Sequence, residues 1–168
     1  MTTITLEDVR RHSENNTKES LYSPNKNRAS WELYNENRRT RGEHCERIIA
    51  EMIERHTGYE CQALRGNQAW DITVNLDDMP VRVEVKSALH SPKSVNSYNM
   101  LNIKPKNFDY IFIVLVTPEE ITVKWASVND IKKVCKNKQR HANGFALAVN
   151  RNKIPEYFYD LEDFPYNP

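Results

Sequence analysis

Only four glycines occur in the 168 residues, and none are grouped as a loop that could cradle phosphates. This excludes the P-loop and dinucleotide-binding fingerprints, which need clustered glycines for close backbone approach. Cysteine is equally sparse. Cys45, Cys61 and Cys135 lie far apart and cannot all pair, so they read as reduced thiols of a cytoplasmic protein and not as a disulfide framework. Nor do His44, Cys45 and Cys61 have the spacing of a zinc site. Long apolar runs are absent. The longest, Ile111 to Val116, falls far short of the ~20 residues a membrane helix needs. The N-terminus lacks the apolar core of a signal peptide, so neither a secreted protein nor a membrane partner is expected. Net charge is also small, at +1, so any basic surface must arise from how the charges are distributed.

What is present organises as a polar N-terminal arm, residues 1–30, followed by one domain, residues 31–168. Ser30 is suited to cap a long helix from Trp31 to about His56, which Gly58 ends. A strand near Glu60 to Leu64 leads into a turn at Arg65-Gly66-Asn67. Two β-branched segments follow, Trp70 to Leu76 and Val81 to Ser87, and in the second Val81, Val83 and Val85 alternate with Arg82, Glu84 and Lys86. Ser87 to Asn99, crowded with Asn and Ser, reads as a loop, either a plain connector or a segment whose amide side chains present hydrogen-bonding groups to a partner. Asp109 to Val116 reads as a strand buried on both faces, with Ile121 to Val128 as its partner across Pro118-Glu119-Glu120. A helix over Val128 to Cys135 and a short strand at Phe145 to Val149 complete a mixed α/β domain with a central β-sheet flanked by helices.

Asp71, Glu84 and Lys86 carry the chemistry. Glu84 and Lys86 share one face of their strand. A turn centred between Asp77 and Asp78 makes cross-strand partners sum to 155, which sets Asp71 opposite Glu84. Adjacent carboxylates repel unless a cation joins them. All-oxygen ligation suits a hard ion, Mg²⁺ or Mn²⁺, and a neighbouring lysine can stabilise charge at a phosphorus centre or act on the attacking water. A third carboxylate, Glu46, falls within about 60° of Ile49, Ala50 and Ile53 on a helical projection, so it leaves from the apolar face. Asp130-Ile131-Lys132, preceded by Asp109, repeats the acidic-x-Lys pattern as a decoy, but in a stretch without strand alternation. Ordinary cross-strand ion pairs are the alternative reading of Arg82, Glu84 and Lys86.

This arrangement resembles the PD-(D/E)XK nucleases, the fold of many type II restriction endonucleases and archaeal Holliday-junction resolvases. Their core is a glutamate-bearing helix followed by a hairpin carrying Asp and (Asp/Glu)-x-Lys. Gly42-Glu43-His44-Cys45-Glu46-Arg47, Asp71 and Glu84-Val85-Lys86 match these motifs, with Trp70 in place of the proline. The similarity covers about residues 40–128, including the Asp109-Tyr110 opening of a buried strand, Pro118 and Trp125. The resemblance implies a restriction-endonuclease-like core and Mg²⁺-dependent hydrolysis of DNA to 5′-phosphate and 3′-hydroxyl ends. Asp71, Glu84 and the Val85 carbonyl would hold the metal, Glu46 would be an outer ligand, and Lys86 would act on the water.

Charge distribution points independently to a polyanion. Val85 to Phe108 holds four lysines and no acid, and Ile131 to Lys153 holds seven Lys/Arg and no acid, while the tail from Ile154 holds four acids and no base. The candidate DNA contacts are Arg38, Arg39, Arg41, Lys93, Lys104, Lys106, Lys136, Lys138 and Arg140. The expected function is a sequence-specific, double-strand DNA endonuclease of restriction type, acting as a homodimer or higher assembly. A junction resolvase, a homing endonuclease and an inactive DNA-binding module are the competing expectations.

Overall fold

The computed structural model describes residues 4, 5, 7, 9, 28–66, 68–90, 97–135, 144–150 and 152–165. Two helices, α1 (Arg28–Asn35) and α2 (Arg38–Thr57), stand where the sequence reading has one. The break has a local cause. Asn37 takes an extended conformation and its Oδ1 accepts the Thr40 N–H at 3.0 Å, so the side chain competes with the helical ladder and caps α2 instead. Ser30, expected as the cap, is buried inside α1. Residues of α2 secure the junction: Arg41 donates to the Glu36 carbonyl at 2.8 Å, and His44 Nδ1 lies 2.7 Å from the Glu36 carboxylate. Gly58 ends α2 as expected, at φ 76° in the left-handed region that glycine adopts without strain.

The strands are β1 (Cys61–Ala63), β2 (Ile72–Leu76), β3 (Met79–Leu89), β4 (Ser97–Ile103), β5 (Tyr110–Val116), β6 (Ile121–Ser127) and β7 (Phe145–Asn150), with helix α3 (Val128–Cys135) after β6. Five form a sheet in the order β1-β2-β3-β5-β6, mixed because β3 and β5 run parallel while the other neighbours are antiparallel. β4 and β7 pair separately as an antiparallel ribbon. The β2–β3 hairpin has the expected register, with Ile72 opposite Val83 and Leu76 opposite Met79. Asp77 and Asp78 form its two-residue turn at φ 46° and 64°, the positive-φ pair that matches strand twist.

The sheet separates two apolar layers. Ile48, Ile49 and Ile53 of α2 pack with Val74, Val85, Phe112 and Val114 on one side. Met100, Leu147 and Ile131 pack with Ile111, Ile113 and Leu115 on the other. β5 supplies alternate residues to both layers, so it reads as an unbroken apolar run. Ile4 and Val9, within the stretch read as an arm, are also buried in the α2-side layer.

The expected loop from Ser87 to Asn99 is corrected at both ends. β3 continues to Leu89, and β4 begins at Ser97. The Asn and Ser content obscured a strand in which buried Tyr98 and Met100 alternate with exposed Asn99 and Leu101.

Candidate active site

Asp71 sits immediately before β2, where its main-chain N–H donates to the Val83 carbonyl at 3.0 Å. Its carboxylate turns inward and accepts the Val85 N–H at 2.7 Å. The side chain thus takes over a backbone donor at the point where β2 gives way to loop. Glu84 is 9% exposed and Lys86 is half-buried beside it, their side chains forming an ion pair along one face of β3. Trp70, standing where the family name has proline, donates its indole N–H to Thr73 Oγ1 at 3.0 Å, and the Arg82 guanidinium lies 6.0 Å over its ring.

Burial dominates the electrostatics of these groups. Burial pushes Asp71 above the usual carboxylate range, opposed by the Val85 N–H and by Lys86. Burial likewise raises Glu84, with Lys86 opposing and Asp71 reinforcing the shift. Glu46, half-buried on α2, is pushed up to about 7 by burial and then by Asp71, Glu43 and Glu84, with Lys86 pulling the other way. The helix therefore places Glu46 within the field of the hairpin carboxylates, and Lys86 is the cation that lowers all three. Among the described residues, no three Asp, Glu, His or Cys side chains converge as a ready-made cage for a metal ion.

Two clefts meet at Asp71. The smaller, about 280 Å³, is lined by Asp71, Glu84, Lys86, Gln68, Asn102, Lys104 and Asn107. The larger, about 940 Å³, is lined by Glu43, Glu46 and Asp71 together with Arg38, Arg39, Arg47 and Arg65. Asp71 is the acidic residue common to both clefts, and the four arginines line the larger one.

Of the basic residues singled out from sequence, Arg38, Arg39 and Lys104 line these clefts, and Arg39 also pairs with Glu43 at 3.1 Å. Arg41 does not. It is 7% exposed and engaged at the α1–α2 junction, so its part is to hold the helices and not to meet a phosphate. Lys106 is exposed and lines neither cleft. Lys93, Lys136, Lys138 and Arg140 lie outside the described residues. The decoy resolves as expected: Asp130 and Lys132 belong to α3, and Asp130 bonds Ser127 at the start of that helix.

Arg47, Arg65, Asn102 and Asn107 were missed. Arg47 follows Glu43 by one helical turn, which is a legible signal for a shared face. Arg65 lies in the turn before Asp71, where only the fold brings it to the cleft. Asn102 sits at φ 60°, a conformation that asparagine tolerates better than most residues. It also marks the irregularity in the β4–β7 pairing between Met100 and Ile103.

This fold, a mixed sheet flanked by helices, is similar to that of a solved homing endonuclease. The structure is that of the bacterial homing endonuclease I-Ssp6803I, matched with a TM-score of 0.51 and 15% identity over 73% of this chain and 86% of that chain. At that identity the likeness is one of fold. No family model matches the chain, and no curated protein matches it.

Proposed function

We propose that the protein is a Mg²⁺-dependent DNA endonuclease of the PD-(D/E)XK type. One observation carries the reading: Asp71, Glu84 and Lys86 line one cleft, and Asp71 continues into a second, arginine-lined cleft that also holds Glu46. The likeness of the fold to a homing endonuclease supports it at the coarse level.

The residues present fit the ion. Mg²⁺ takes one or two carboxylates and leaves its remaining positions to water and substrate phosphate, so no three-ligand protein cage is required. Asp71, Glu84 and the Val85 carbonyl would hold it, with Glu46 as an outer ligand. Three carboxylates whose pKa values are all raised, with Lys86 as the shared counter-charge, leave room for another cation. When bound, the ion supplies Lewis-acid stabilisation of charge on the scissile phosphate.

The protein's own contributions are positional and electrostatic. The Val85 N–H fixes the Asp71 carboxylate and so sets its direction. Glu84 holds the Lys86 ammonium in place until substrate arrives. Lys86 would then orient the attacking water and stabilise the negative charge that develops at phosphorus. Arg38, Arg39, Arg47 and Arg65 would bind phosphates of the DNA backbone on either side of the cut.

One such site cuts one strand, so a double-strand break requires a second copy of the chain. Restriction-type cleavage at a defined sequence is the primary reading. A homing role is the second, favoured by the name of the structural neighbour. Incubation of the protein with supercoiled plasmid and Mg²⁺ tests both. Discrete linear fragments that vanish with EDTA and in Lys86→Ala are expected. Intact plasmid throughout, including long target panels and branched DNA, would overturn the nuclease reading. Cleavage confined to branched DNA would replace it with a resolvase.

A further inference from the structure

The geometry points to the exposed face of the β4–β7 ribbon as the element that enters the major groove and reads bases, with Asn99 and Ala148 as the specificity-determining pair. This rests on the nuclease reading of the Asp71–Glu84–Lys86 cleft and adds the surface that would choose its substrate.

The ribbon has two unlike faces. Tyr98, Met100, Leu147 and Val149 are buried in the core, while Asn99, Leu101, Ala148 and Asn150 are exposed. The register sets Asn99 directly opposite Ala148, and Ser97 opposite Asn150. The outer face therefore presents amides and apolar groups, Ala148 and the larger Leu101, with no charge among the described strand residues. Such a face lacks the carboxylates that would repel DNA and the cations that would bind any sequence alike. Its groups suit base edges: an asparagine amide pairs with adenine N6 and N7, and a small apolar side chain contacts the thymine methyl. Neighbouring strands lie about 4.8 Å apart, so a two-stranded ribbon fits a major groove about 12 Å wide. The five-stranded sheet could not enter.

The ribbon is also continuous with the cleft. Asn102 and Lys104, at the end of β4, line it together with Asp71, Glu84 and Lys86. Asn99 is three residues back along the strand, roughly 10 Å away at strand rise. Duplex DNA with a phosphate in the cleft would lie along the ribbon, and at 3.4 Å per base pair Asn99 would meet a base roughly three pairs from the cut. Asn150 would meet one further out; its Oδ1 accepts the Asn152 N–H at 2.8 Å, which fixes its amide.

The experiment compares full-length wild type, Asn99→Ala and Ala148→Glu on a DNA library in Mg²⁺, with the cleaved ends sequenced and binding to the preferred site measured. Wild type should prefer A·T pairs within roughly six pairs of the cut. Asn99→Ala should lose tenfold or more of the preference at one position and keep the others, an effect that a general structural defect would not produce. Ala148→Glu should bind the preferred site at least tenfold more weakly, with an unchanged melting temperature. If wild type cuts but shows no base preference, or if both variants retain its profile and affinity, the assignment of the ribbon fails while the nuclease reading stands. If wild type cuts no DNA, both fall.

Discussion

The Asp71 carboxylate accepts the Val85 N–H at 2.7 Å, which ties it to the residue between Glu84 and Lys86. One hydrogen bond thus couples the two halves of the motif across the hairpin. Replacing Asp71 by Asn keeps the shape and an acceptor for Val85 but removes the charge. Cleavage should fall at least 100-fold, about 2.7 kcal/mol in transition-state stabilisation, with melting temperature nearly unchanged and low-salt DNA binding retained. Cleavage within a few-fold of wild type would sink the assignment. Asp130→Asn, by contrast, should lower stability slightly through the start of α3 and leave cleavage alone.

Glu46 and Glu43 are the two carboxylates of α2 on the larger cleft, and their surroundings separate their roles. Glu43 is exposed and pairs with Arg39, while Glu46 is half-buried in the field of Asp71 and Glu84. Glu46→Gln should raise the Mg²⁺ concentration needed for half-maximal cleavage about tenfold or more, and Glu43→Gln should change it little. A Mg²⁺ titration of each variant decides the matter, and the reverse order would show that the helix motif is read one turn out of register.

Arg47 and Arg65 are proposed phosphate contacts on the wall of the larger cleft. Each replaced by Ala should weaken binding to all sequences alike and reduce the log–log salt slope by about 0.9 per lost contact. Binding isotherms at several salt concentrations measure this. An unchanged slope would mean that the DNA does not pass this wall.

The Arg82–Asp109 pair joins β3 to the start of β5. Asp109 accepts the Arg82 main-chain N–H at 2.8 Å and pairs with its guanidinium at 2.9 Å. These contacts hold the Asp109 carboxyl below its ordinary value. A depressed folded pKa contributes stability above the unfolded value, near 3.9, and loses it as pH falls through the folded value. Since the pair is about one-third exposed, Asp109→Asn should cost about 1 kcal/mol at neutral pH. Urea unfolding should show that difference at pH 7 and its disappearance in strong acid; a pH-independent difference would contradict the account.

Gly144 admits the bulge that carries Asn102. A Cβ there would lie 2.7 Å from the Ile103 carbonyl oxygen and 2.8 Å from the Asn102 carbonyl carbon, both rigid backbone. Gly144→Ala should therefore destabilise the protein by about 1–3 kcal/mol and, by displacing Lys104 from the cleft, reduce cleavage as well. A variant with wild-type melting temperature and activity would show that the ribbon shifts freely.

Strand period, the Asp77-Asp78 turn and the helical projection of Glu46 were legible in the sequence because each depends on neighbours a few residues apart. Alternation over Val81 to Lys86 named the face of Glu84, and the turn alone set the register that pairs Ile72, next after Asp71, with Val83, next before Glu84. The run Ile111 to Val116 announced a strand buried on both sides for the same local reason. Tertiary structure alone decided the rest. Arg41, buried and bonded to the Glu36 carbonyl across the Asn37 cap, becomes a brace between two helices where the sequence suggests a phosphate contact. The pairing of β4 with β7 joins segments about fifty residues apart, and no periodicity within either could specify the other. That pairing, with the parallel placement of β3 beside β5, brings Asn102, Lys104 and Asn107 to the carboxylates. Local patterns encode which way a side chain points. Its companions are chosen by burial of the two apolar layers, which is a property of the whole chain.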